Sequence, residues 1–109
     1  MNAIIDGKKY TIDLEDNDTV KDFVSILPRE YTMSELNGNE YYVYMDTTLK
    51  SNPESVEKIY AGDVMLYEDN CIVIFYKSFD TKFKYTRIGH ISSLPELKGE
   101  KITVKFDLK

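Results

Sequence analysis

Residue types able to do chemistry concentrate in one stretch of this chain. Asp69 to Ile91, DNCIVIFYKSFDTKFKYTRIGHI, holds the only cysteine, the only histidine and one of two arginines. Cys71 would act as a nucleophile only with a lowered thiol pKa and an activating base. His90 is the one imidazole available, and nothing in the spacing brings it to Cys71, so core packing is the expected role of the thiol. One cysteine and one histidine do not make a metal site. Asp16 and Asp18 in DNDTVKDF have the spacing of a calcium loop, but Lys21 stands where that loop needs glycine. No G-x-G-x-x-G, phosphate loop or G-x-S-x-G is present. The expectation is therefore no metal and no cofactor.

Arg87 is the more informative residue, because arginine is scarce beside twelve lysines. On a strand it requires a carboxylate, an aromatic face or a ligand. Glu40, in GNEYY, is the expected partner. That leaves two roles for Arg87, a structural ion pair at a sheet rim or an anchor for a ligand. Tyr42, Tyr44, Tyr67, Tyr76, Phe79 and Tyr85 could line a groove beside it. An apolar groove with a few polar tips is the form of a peptide or small-molecule site. The expected ligand-binding set is Glu40, Tyr42, Tyr67, Tyr76, Phe79, Tyr85 and Arg87, with two or three rings accessible. Lys77, Ser78 and Asp80 read as solvent-facing turn residues.

The elements that must position these residues are mainly strands. Asp6-Gly7 between two β-prone runs marks a tight hairpin, and Tyr10, Ile12 and Leu14 alternate with polar residues after it. Val20, Phe23, Val24 and Leu27 then fall at i, i+3, i+4 and i+7, the stripe of one helix of about ten residues. Asn17 or Asp18 caps it and Pro28 ends it. EYTMSEL and EYYVYM read as strands around the turn NGN. Three more β-prone runs lie between Glu57 and Ser78, and FKYTRIGHI continues extended. In CIVIFY, Cys71, Val73 and Phe75 share one face and Ile72, Ile74 and Tyr76 the other. Both faces are apolar, which suits a barrel wall with a helix behind it. SSLPELKG reads as one helical turn closed by Gly99. KITVKFDLK alternates cleanly, with Ile102, Val104, Phe106 and Leu108 inward. About eight short strands and one helix predict an all-β barrel or sandwich.

Composition narrows the function classes. A chain of 109 residues is one domain, residues 1–109, with enough surface buried on folding to form a core. Its net charge of −5 repels phosphate backbones and anionic lipid, so neither nucleic acid nor membrane is an expected partner. The one basic cluster, Lys77 to Arg87, is interrupted by Asp80. A single cysteine gives no internal disulfide, and the longest apolar run is far short of a bilayer span. A cytoplasmic monomer is the default expectation.

Four blocks, LEDNDTVKDFVSILP, TMSELNGNEYYVY, AGDVMLYEDNCIVIFYKSF and KYTRIGHI, together resemble the bacterial cyclophilin-like domain family in family order. The resemblance covers roughly Leu14 to Ile91. It implies a closed, mostly antiparallel eight-stranded barrel with one flanking helix, related in fold to peptidyl-prolyl isomerases. It also implies relatives fused to flavodoxin-like domains, hence an accessory role docking on a redox partner. True cyclophilins carry an arginine on an early barrel strand, with later Phe, Trp and His around a proline pocket. Here EYTMSEL holds no arginine, the chain has no tryptophan, and His90 lacks the surrounding motif. Those departures favour a binding module for a peptide segment or small molecule. The alternative is a weak or divergent isomerase in which Arg87 replaces the missing arginine.

Overall fold

The computed structural model describes residues 1–109. The strands are β1 (Asn2–Ile5), β2 (Lys8–Leu14), β3 (Arg29–Leu36), β4 (Glu40–Tyr44), β5 (Glu54–Ser55), β6 (Lys58–Ile59), β7 (Asp63–Tyr67), β8 (Cys71–Phe75), β9 (Phe79–Asp80), β10 (Lys84–Ile91) and β11 (Lys101–Asp107). The single helix, α1, spans Asp18–Ser25. Eight strands run in the order β2-β1-β11-β3-β4-β8-β7-β10, and β10 pairs back onto β2, which closes the barrel. All of these pairings are antiparallel. The three two-residue strands lie outside this cycle: β5 pairs with the start of β10, and β6 with β9.

Strand alternation fills the interior. Ile102, Val104 and Phe106 of β11, Ile72 and Ile74 of β8, and Ile88 and Ile91 of β10 join one core cluster. The first hairpin turns at Asp6 and Gly7, both at positive φ (48° and 87°), as a primed turn requires. Asn17 is the helix cap: its side-chain oxygen accepts from the Val20 N–H at 2.8 Å. The same side chain donates to the Arg87 carbonyl at 2.7 Å, which ties the helix start to β10. Val20 and Phe23 enter the interior cluster, and Phe23 meets Phe106 edge to face at 5.2 Å.

Four expectations are corrected. The helix spans eight residues rather than about ten, because the chain leaves helical geometry after the Ile26 cap. The 92–99 segment makes a turn at Ser92–Ser93 and is then irregular, with no helix, although Gly99 does take a positive φ of 94°. Leu108 lies past the end of β11 and is 52% exposed, since pairing with β1 stops at Asp107. The fourth concerns what lies behind β8, and it shapes the functional surface. The helix packs into the interior cluster, so the outer face of β8 is covered by something else. Cys71, Val73 and Phe75 sit in a second cluster with Val56, Ile59, Met65 and Tyr85. The cover is the 53–61 segment together with the β6–β9 ribbon, whose Phe79 ring lies 5.6 Å from Phe75. That cover extends over only part of the outer face. Where it stops, the sheet is left open.

Candidate functional site

The opening is a groove of about 650 Å³ on the outer face of β4, β8 and β7, walled by the chain from Phe79 to Tyr85. Period-two alternation puts Glu40, Tyr42 and Tyr44 of β4 on this face, with Cys71 and Val73 of β8 beside them. Tyr67 comes from β7 and Tyr85 from β10, their rings 5.7 Å apart. Phe83 stands edge-on to Tyr67 at 6.2 Å, and Tyr42 meets Tyr44 at 5.8 Å. Six aromatic residues thus line one cleft, with the Glu40 carboxyl among them and Asp80 also in the lining.

Of the residues expected to bind ligand, Glu40, Tyr42, Tyr67, Phe79 and Tyr85 come together here. Tyr76 and Arg87 do not. Tyr76 directly follows Phe75 and so turns the opposite way, lying 5.4 Å from Tyr41 at a different recess. Arg87 faces outward, but opposite Met65, which opposes Val73, which opposes Tyr42. Three strand spacings separate it from Tyr42, about 14 Å. Its expected pairing with Glu40 is therefore replaced: Arg87 Nε donates to Glu54 Oε1 at 3.1 Å, on the far side of the covering segment. Asp80 pairs in β9 opposite Lys58 and is exposed, and Lys77 binds Glu96 at 3.0 Å. Arg29 is exposed at the first residue of β3, so that strand does carry an arginine, aimed away from the groove.

No side chain or backbone group donates to the Glu40 carboxyl, and no lysine or arginine reaches it. Burial, helped by the Glu35 charge next along the sheet, lifts it to about 7. Its neighbour Asn39 also lines the groove, and the Asn39 side-chain oxygen is buried with no hydrogen-bond partner. Burial, with Glu40 and Glu68 adding to it, raises the Cys71 thiol to about 11. It stays protonated at neutral pH and is no nucleophile. Tyr85 is pushed to about 12 by burial first and by Glu40 second. The cleft as a whole disfavours negative charge.

The Glu40 shift carries a stability consequence. An acid whose folded pKa lies above its unfolded value binds protons better when folded, so its ionisation opposes folding. Stability should fall as pH rises from about 4.5 through about 7 and level off above that. After discounting for solvent screening, the loss is about 1–2 kcal/mol. Glu40→Gln should abolish this portion and be more stable than the parent at about pH 8. Urea unfolding at two pH values measures it. Equal pH dependence in the two proteins would show that Glu40 ionises freely.

One polar pair was not visible in the sequence. His90 Nδ1 donates to Asp63 Oδ1 at 2.8 Å, and Asp63 Oδ2 accepts the Tyr60 N–H at 2.8 Å. Asp63 is buried and its register partner is His90, so the pair locks the start of β7 to β10. Cys71 is opposite Tyr67, four residues further along β7, about 13 Å from this pair. A cysteine–histidine reaction centre is not formed. No group of three or more His, Cys, Asp or Glu side chains is arranged to hold a metal, and no helix is long and apolar enough to cross a membrane.

A closed antiparallel eight-stranded barrel, one helix packed against its core and an aromatic groove on its outer wall define the kind of protein this is. The sequence model of the cyclophilin-like family matches residues 3–107, and the chain belongs to that family. No curated protein and no solved structure matches it.

Proposed function

We propose that this domain is a non-catalytic binding module that receives a peptide segment or a small molecule in the Glu40–Tyr85 groove. The observation carrying the reading is the distribution of exposed apolar surface. Five large hydrophobic residues are strongly exposed, and three of them, Leu36, Tyr44 and Phe83, rim this groove. Scattered exposed apolar residues need no explanation, but a contiguous set around a concavity marks an interaction site. The isomerase alternative finds less support, since catalysis of proline rotation calls for a donor near the proline amide. The groove contains no arginine, and Arg87 is held by Glu54 elsewhere. A cytoplasmic setting accords with the single, buried free thiol.

The test is an amide NMR titration of isotope-labelled protein with a short Ala-Pro peptide, with exchange spectra recorded on the peptide. The expected result is shift changes confined to the groove, and no cis–trans exchange cross-peaks. Catalysed exchange would overturn the non-catalytic reading, and Arg87→Ala would then show whether that residue carries it.

A further inference from the structure

The groove's polar inventory is lopsided. It offers the Glu40 carboxyl, an acceptor without a partner inside the protein, while the Asn39 side-chain oxygen beside it is unpaired but buried. A ligand carboxylate or phosphate would meet Glu40 and the Glu35 charge behind it. An uncharged apolar ligand would leave the Glu40 carboxyl unsatisfied in a drier site than before, which is costly. A cation with apolar flanks satisfies every part. Its positive group answers Glu40, aromatic faces attract it further, and its stem lies on the rings. Lys82 and Asp80 both line the rim and offset one another, so the inner part remains negative. We propose that the groove takes a basic side chain, lysine or arginine, from a peptide segment with apolar residues on either side, with Glu40 as its counter-ion.

This rests on the groove being the binding site, and it narrows the occupant. The choice of a peptide over a free amine comes from the rim. Leu36, Tyr44 and Phe83 are 43%, 55% and 63% exposed, and a lone alkylammonium in the inner groove would leave them uncovered. Residues adjoining the basic side chain would cover them. A cleft of about 650 Å³ is also larger than one amine requires and lies within the range of ordinary ligand sites.

The titratable and charged groups lining the site are Glu40, Cys71, Asp80, Lys82 and the tyrosines Tyr42, Tyr44, Tyr67 and Tyr85, while Glu35 acts on Glu40 from outside the groove. Only Glu40 changes charge near neutrality among those with a shifted value, so affinity for a basic peptide should rise from about pH 6 to about pH 8.

The probes are acetylated, amidated tripeptides Leu-Lys-Leu and Leu-norleucine-Leu, titrated by amide NMR into the full chain and into Glu40→Gln. The lysine peptide should saturate with shifts at Glu40, Tyr42 and Tyr85, and bind at least about tenfold more tightly than the norleucine peptide. Glu40→Gln should remove that advantage, chiefly by weakening the lysine peptide. Equal binding of both peptides, unaffected by Glu40→Gln, would keep the groove as a binding site and overturn the cation. Butylamine binding as tightly as the lysine peptide would overturn the peptide source. No shifts with either peptide at millimolar concentration would refute the groove reading itself. Glu40→Gln is expected to fold, because it removes a half-buried unpaired carboxylate.

Discussion

Gly62→Ala should lose about 3 kcal/mol or more of folding stability, read as a lower urea midpoint with an unchanged slope. Two independent strains coincide at this position. The backbone has a φ of +101°, a conformation that side chains rarely adopt, and an added Cβ would lie 2.2 Å from the Ile91 carbonyl oxygen. Neither neighbour is free to yield. The Gly62 N–H donates to Phe75 O at 2.7 Å and its carbonyl accepts from Ile91 N at 2.8 Å, so it is pinned between β8 and β10. Ile91 in turn pairs with Ile12 of β2, the seam that closes the barrel. Pushing Ile91 aside therefore strains the closure itself. Gly7 makes the control. It also has a positive φ, +87°, but nothing lies within 4 Å of an added Cβ. Its alanine variant should lose only about 1 kcal/mol. If the two variants were destabilised equally, backbone conformation alone would explain both, and the seam would be softer than its hydrogen bonds indicate.

Phe75→Ala should lose about 3–5 kcal/mol, the usual range for truncating a fully buried phenylalanine. Phe75 has no exposed surface and touches Phe79 at 5.6 Å and Tyr85, edge to face, at 5.5 Å. It belongs to the second cluster, outside the barrel, so the damage should be local as well as global. Hydrogen exchange would resolve this. The Thr81 N–H, bonded to Glu57 O at 2.9 Å within the cover, should lose protection in the variant. Amides of Ile88 and Ile91, in the interior cluster, should open only with global unfolding. Because Phe79 and Tyr85 wall the groove, peptide binding should weaken alongside. A loss below about 1 kcal/mol would mean that the cover rests loosely on β8 and that the groove is not pre-formed.

Much of the barrel could be read from local pattern. The alternation of Ile102, Val104 and Phe106 turns them inward, and the stripe of Val20 and Phe23 brings one helix face to the core. Asp6-Gly7 makes the hairpin its chemistry suggests. These features are encoded within a few residues of themselves. Face parity was equally available for Tyr76, since it follows Phe75 and must point the other way, yet composition alone placed it among the groove rings. The same parity applied to Tyr42 and Tyr44 puts both on the outer face.

What the sequence by itself determined was which residues lie on which face of each strand, together with the family and the closed barrel. The tertiary structure decided the partners across strands. Register between β7 and β10 brings His90 to Asp63 and leaves Arg87 to Glu54, three strands from Tyr42 and Tyr44 of β4. It also decided that α1 packs Val20 and Phe23 into the core, while the 53–61 segment and β9 cover β8 only in part. Glu40 is left unpaired among aromatic rings as a result. The physical reason is that side-chain direction along a strand follows from a two-residue repeat. The identity of a neighbour depends instead on pairing register and on which segments cover the sheet, and distant parts of the chain set both together.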